Sequence, residues 1–240
     1  MAAAGRSIQP GGTVRRVTRW CVDMVVTVLR YAVQRIPTYR RDRQQDPGEP
    51  PDFERELPGD PTTLQRPTDG IGPLYHRSYW IFVTDETLNG EELISYILQE
   101  PNQVTPTEMA SFETMDGEPA RDLQVGDELI VRLPGPWDGP VRVIERTPTS
   151  FRFATLRGHM EAGEIEFRTS TDARGFLEFR IESWARSGDP LFHLLYGRFV
   201  IGREMQQHMW AQFCRRVAAV SGGVRMSNPS STTRRFGSNP

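Results

Sequence analysis

The sequence contains no lysine: all 29 basic residues are arginine. That excludes Schiff-base and other lysine-centred catalysis. Cysteine is scarce as well. Cys21 and Cys214 stand far apart without a CxxC partner, which argues against a disulfide framework or a zinc module and suits a reducing, cytoplasmic compartment. Long apolar runs are missing. The most apolar stretch, Trp20 to Val33, is too short for a hydrocarbon core of ~30 Å and contains Asp23 and Arg30, so no membrane span is expected. Nor does it have the cleavage context of a secretory signal. G-x-S-x-G, P-loop and dinucleotide fingerprints are absent too, which leaves nucleophilic and nucleotide chemistry without support.

Charge is present but unevenly placed. Residues 1–45 carry +7, residues 46–70 carry −5, residues 71–220 carry −7 and residues 221–240 carry +3, giving the net −2. A specific nucleic-acid binder normally carries its basic surface on the folded body, so none is expected here. The division of charge matches a division of composition. Residues 1–45 form a basic arm with an amphipathic helix over about 13–36, where Val14, Val17, Cys21, Val25, Leu29 and Ala32 recur at helical spacing. That helix docks on the body, pairs with a second copy, or lies on an anionic membrane surface as a peripheral attachment. Residues 46–73 are a proline-rich acidic linker, residues 74–220 the folded domain, and residues 221–240 a polar tail expected to be disordered.

The body begins with a strand near Tyr75–Val83. Asn89 with Glu92 forms a capping box ahead of a helix that stops before Pro101. Thr105, Pro106 and Glu108 have the pattern of a second short helix starting at Pro106. Strands follow, with Leu129, Val131 and Leu133, then Val141 and Val143, Phe151 and Phe153, Ile165 and Phe167, and Leu177, Phe179 and Ile181 alternating with charged residues. Period two with one charged face means an antiparallel sheet wet on one side. Asp189-Pro190 opens a helical segment weakened at Gly197 and Gly202 and firm from Arg203, striped by Met205, Met209, Phe213 and Val217 and ending at Gly222. This order is α+β, that of a helix-grip fold, in which the antiparallel sheet wraps a long C-terminal helix and often encloses a cavity.

The stretch Ala154-Thr155-Leu156-Arg157-Gly158-His159-Met160-Glu161-Ala162-Gly163-Glu164-Ile165-Glu166-Phe167 resembles the signature of an uncharacterised family of bacteria and plants, a domain of unknown function with a TLxGHxExGExxF-like core. The resemblance continues through Phe179–Arg186 to Gln206 and covers roughly 74–220. Met160 stands where family members often have Pro. That family is grouped with the START-like superfamily of lipid-transfer, birch-pollen-allergen-type and polyketide cyclase proteins. The resemblance implies the helix-grip fold and carries no established activity.

Three functional readings stay open. The leading one is non-enzymatic, a domain that holds a hydrophobic small molecule or lipid between sheet and C-terminal helix. Trp137, Phe151, Phe153, Phe167, Phe179, Arg203, Gln206, Met209 and Phe213 are its candidate ligand-binding residues. The second is a cyclase- or hydrolase-type enzyme using His159 with Glu161 or Glu164 as acid–base groups. The bland account of those three is a hairpin corner, with Gly158 and Gly163 in turn conformations and His159 bonding backbone amides. The third is an interaction module attached through residues 13–36. No metal is expected, since H-x-E-x-x-E on a strand and turn matches no familiar ligand geometry, and no cofactor is expected either.

Overall fold

A computed structural model describes residues 39–40, 50–133, 138–188 and 200–236. The arm helix anticipated over 13–36, the loop carrying Trp137 and the Asp189-Pro190 helix start lie outside the described residues, as does the side chain of Arg203. The described residues are α+β, built on one sheet of ten strands. The strands are β1 (Tyr39–Arg40), β2 (Ile71–Thr84), β3 (Ser111–Thr114), β4 (Glu128–Arg132), β5 (Asp138–Thr147), β6 (Ser150–Thr155), β7 (Glu161–Thr171), β8 (Leu177–Ser187), β9 (Val224–Arg225) and β10 (Ser230–Phe236). Their order is β1-β10-β2-β8-β7-β6-β5-β4-β3, with β9 beside β2. The pairs are antiparallel apart from β1 with β10.

Helix α1 (Gly90–Gln99) starts at Asn89, whose side chain accepts from the Glu91 and Glu92 amides while Glu92 returns to the Asn89 amide. It lays Leu93, Ile94, Ile97 and Leu98 into the core. The second helix is not where Pro106 placed it. Helix α2 is Pro101–Val104, with Pro101 at its first position, and residues 106–110 make a single turn. The Asn102 side chain bonds both the amide and the carbonyl of Phe112, and this tie to β3 favours the earlier start. Helix α3 (Val200–Val220) presents Phe213, Cys214, Val217 and Ala218 to the sheet.

Two further expectations are corrected. The tail is not wholly disordered: β10 pairs with β2 from Ser230↔Trp80 to Phe236↔Leu74. The edge of β2 would otherwise present a row of unmet amides and carbonyls, and the β-branched pair Thr232 and Thr233 suits the extended pairing. The stretch from residue 50 to β2 is not a free linker either. Its prolines rule out a regular helix but suit the opening of two 3-10 turns, Pro61–Thr63 and Pro67–Asp69. Leu64 packs with Ile144, Ala154 and Leu156 on the sheet's outer face.

Candidate functional site

Strand alternation sorts every side chain of β7 and β8 onto one of two faces. The inner face, toward α1 and α3, carries Phe167 and Thr169 on β7 and Leu177, Phe179 and Ile181 on β8. By the same period, Glu161, Gly163 and Ile165 continue the inner row of β7, Ser183 and Ala185 that of β8, and Arg77 lies in the inner row of β2 with Tyr79, Ile81 and Val83.

One half of this face is closed. Phe151, Phe153, Phe167, Phe179 and Phe213 are each at most 3% exposed. Their rings pack on one another, with Phe151 stacked on Phe167 at 4.7 Å and Phe213 at 5.5 Å from Phe167 and 6.0 Å from Phe179. A water-sized void against these rings would register as exposed surface. The five phenylalanines expected to line a ligand cavity are therefore core. Dense aromatic packing of this kind stabilises the sheet–helix contact rather than leaving room in it.

The other half is different in character. Arg77 is 4% exposed and its Nη1 donates to Glu161 Oε1 at 3.1 Å. Gln206, on α3, donates to Glu161 Oε2 at 3.2 Å. The Arg77 guanidinium also lies 5.0 Å from the Tyr75 ring centre. Ser183 sits directly between Arg77 on β2 and Ile165 on β7 in the sheet register. Its residue is 5% exposed and its hydroxyl has no hydrogen-bond partner. Trp210 stands one helical turn beyond Gln206, and its buried indole N–H has no partner. Ile165, at the centre of the sheet and facing the helix, is only half-buried, as are Gln206, Met209 and Trp210. Ile165 nonetheless packs against the aromatic cluster, as does Trp210, whose ring lies 5.6 Å from Phe167 and 5.8 Å from Phe213.

Arg77 on β2 reaches Glu161 on β7 across the intervening strand β8. A Cβ on Gly163 would fall 2.0 Å from the Trp184 carbonyl oxygen. Gly163 is thus required by close strand approach, not by a turn as its place in the motif led one to expect. Gly158, at φ +95, does adopt a left-handed turn conformation.

His159, Glu161 and Glu164 do not converge. Residues 161 and 164 lie three apart on a strand and so face opposite sides. Glu164 points outward, where Arg55 binds it through both nitrogens at 3.1 and 2.7 Å and Arg152 lies 3.5 Å away. His159 occupies the β6–β7 turn, where Nδ1 accepts from the Glu161 amide at 2.9 Å. The Gln65 side chain clamps the same turn, donating to the His159 and Glu161 carbonyls and accepting from the Gly158 amide. This is the hairpin-corner arrangement, and it leaves the acid–base reading without a shared site. Among the described residues no cluster of three His, Cys, Asp or Glu has metal-binding geometry.

Residues 103–216 match a family described as a domain of unknown function (DUF1990). No curated protein matches the chain. Among solved structures, norcoclaurine synthase from Thalictrum flavum in complex with dopamine and hydroxybenzaldehyde is 10% identical, covering 70% of this chain and 96% of its own, with a TM-score of 0.43. A protein from Chromobacterium violaceum is 13% identical, covering 61% and 96%, with a TM-score of 0.40. Major latex-like protein 151 from Panax ginseng is 15% identical, covering 55% and 97%, with a TM-score of 0.32. Likenesses of this size transfer no chemistry to the chain. Among the described residues no helix is long and apolar enough to cross a membrane.

The match to a family of unknown function leaves the site to be argued from its residues, and several of those were not singled out from sequence. Arg77 and Ser183 were missed, yet they share one signal with Glu161: each is a polar residue standing in the apolar phase of an alternating strand. Arg55, Gln65 and Arg142 offer no such signal, because their partners are distant in the chain. The outer face carries a charge ladder in which like faces like, Glu166 opposite Glu182 and Arg168 opposite Arg180. The diagonal pair Arg168 with Glu182 at 3.4 Å and the directly opposed Arg152 and Glu166 at 3.0 Å resolve it. Beside the ladder, His76 stacks on Trp184 at 3.8 Å and bonds Glu182 at 2.6 Å. An open groove of about 600 Å³ beside α1 is lined by Glu91, Glu92, Ser95, Val125 and Arg146 among others. It contains none of the unpartnered buried polar atoms.

Burial lowers the pKa of His159 below 6.5, opposed by the weaker pull of the Glu161 charge and backbone bond. A histidine held neutral by the fold binds fewer protons than in the unfolded chain. Its contribution to stability is therefore complete above 6.5 and is lost as pH falls below it, with a slope of at most about 1.4 kcal/mol per pH unit. The urea midpoint should drop between pH 7.5 and 5.5 by more in the wild type than in His159→Asn, whose side-chain carbonyl still accepts from the Glu161 amide. Equal drops would assign the pH dependence elsewhere.

Proposed function

We propose that the protein is a non-enzymatic, helix-grip binding domain that holds a hydrophobic small molecule or lipid between the inner face of the sheet and α3, at the end marked by Arg77, Ile165 and Ser183. The observation that carries this reading is the buried Ser183 hydroxyl with no partner beside a half-exposed Ile165 in the middle of the sheet. A buried hydroxyl left without a partner costs roughly 1–3 kcal/mol, so such groups normally have one. The site has an apolar wall and a few convergent polar groups, which is the usual make-up of a small-molecule pocket. Of the residues anticipated from sequence, Gln206 supports this reading through its bond to Glu161.

The neutral dye Nile red tests the proposal. Its fluorescence should rise saturably at one dye per chain, and Ile165→Trp, which fills the space, should abolish the rise without lowering the melting temperature. Non-saturable binding, or binding indifferent to Ile165→Trp, would remove the reading.

A further inference from the structure

We infer that Gln65, on the binding reading above, is a positioning residue for the ligand site, so that docking of residues 61–70 on the outer face of the sheet and ligand binding on the inner face favour each other. Gln65 is buried and follows the first 3-10 turn. Its side-chain amide is spent on a single turn. Nε2 donates to the His159 carbonyl at 2.7 Å and to the Glu161 carbonyl at 3.1 Å, and Oε1 accepts from the Gly158 amide at 3.1 Å. The Gln65 backbone is tied to the same region. Its amide donates to the Thr155 carbonyl at 2.9 Å, and the Thr155 hydroxyl donates to the Gln65 carbonyl at 2.8 Å while accepting from the Gly163 amide at 2.9 Å. Gly188 leaves room for this side chain: a Cβ there would stand 2.0 Å from Gln65 Nε2.

These bonds converge on Glu161. Its carbonyl is held by Gln65 and its amide by His159 Nδ1, so both polar groups of its backbone are fixed from the side of the turn. A fixed backbone fixes the direction in which the side chain leaves the strand. The carboxylate then bonds Arg77 on β2 at 3.1 Å and Gln206 on α3 at 3.2 Å. Glu161 is thus a polar bridge between the sheet and α3 at the end where the ligand is proposed to lie. A turn released from Gln65 lets Glu161 tilt, and that bridge is no longer set. The route from the outer face to the inner one is a contiguous chain of hydrogen bonds, the kind of network that can carry coupling. Coupling between two sites is reciprocal. If a docked Gln65 raises ligand affinity, bound ligand holds Gln65 and its neighbours down by the same factor.

The experiment uses the full chain, Nile red as the probe and subtilisin at a level where residues 57–66 are cut before the rest of the chain. In the wild type, saturating dye should slow that cleavage by about fivefold or more. Gln65→Leu keeps the bulk and loses the side-chain bonds. It should weaken dye binding by the same factor, and dye should no longer protect the segment. Arg55→Met loosens the same stretch at Glu164, on the face away from Glu161. It should leave dye affinity within about twofold, as for an independent site. Saturable dye binding to the wild type with unchanged cleavage would overturn the coupling. So would Gln65→Leu binding dye as tightly as the wild type, or Arg55→Met weakening it equally. Each of these results leaves the binding reading in place. Should Gln65→Leu fail to fold, the wild-type cleavage rates with and without dye decide. A blank Nile red titration of the wild type would remove the binding reading itself, and the coupling with it.

Discussion

Arg142→Met should destabilise the protein by about 3–5 kcal/mol, the usual cost of taking one partner from a buried charged network. Arg142 lies on the outer face of β5 and is only 1% exposed. Its guanidinium serves Glu128 through Nε and Nη2, the Pro58 and Asp60 carbonyls at 3.0 Å each, and the Thr63 hydroxyl at 2.6 Å. Gly59, at φ +85, wraps the backbone closely over this group: a Cβ there would meet the guanidinium at 2.7 Å. One side chain thus fastens the Pro58–Thr63 segment to the sheet. Met keeps the length and the apolar stem but leaves four acceptors without their donor. Arg142→Lys should recover only a small part of the loss, because a single ammonium cannot reach all of these partners at once. Urea unfolding checks the magnitude, and limited proteolysis checks the mechanism. Cleavage should appear first within residues 57–66 of the variant. A variant as stable as the wild type, with that segment still protected, would show that the apolar contacts of Leu64 suffice to hold it.

Gly163→Ala should be at least as damaging as an overpacked core substitution, more than about 3 kcal/mol. The added methyl would stand 2.0 Å from the Trp184 carbonyl oxygen and 2.7 Å from Ala185 Cα. Both are backbone atoms of the neighbouring strand, so no side-chain rotation relieves the collision, and β7 and β8 must separate. Gly158→Ala is the informative contrast. Its Cβ meets nothing within 4 Å, and only the left-handed backbone at φ +95 is strained. That costs roughly 1–2 kcal/mol. Thermal denaturation of the two variants should therefore separate a packing glycine from a conformational one within a single motif. Equal losses at the two positions would mean that β7 and β8 part easily.

Local signals carried well into the structure where the determining partners are close in sequence. The Asn89–Glu92 capping box, the stop before Pro101, and the alternation of Phe151/Phe153, Ile165/Phe167 and Leu177–Ile181 each depend on residues within one turn or one strand. The Pro106 helix start failed for the opposite reason. A long-range tie, Asn102 to Phe112, competed with a local capping pattern and accompanied an earlier start. Similarly, β10 was not legible because SSTTRRF has no apolar alternation of its own; its strand character depends on the open edge of β2, about 150 residues earlier. The candidate site was half legible. Glu161 was noticed, but grouped with His159 and Glu164 by proximity in sequence rather than by strand phase. Applying period two would have parted Glu161 from Glu164 and joined it to Arg77 and Ser183.

By itself the sequence determined the class of fold: lysine-free, cysteine-poor, with strands of one polar and one apolar face and a helix to cover the apolar one, because hydrophobic periodicity is a local property. Only the tertiary structure decided where that covering is aromatic and where it is polar. The aromatic half closes because five rings from three strands and a helix interlock, and the other end is built from the Arg77, Glu161 and Gln206 side chains in place of rings. Which rings meet, and which hydroxyl is left unmet, depends on register across strands far apart in the chain, and no window of sequence contains that register.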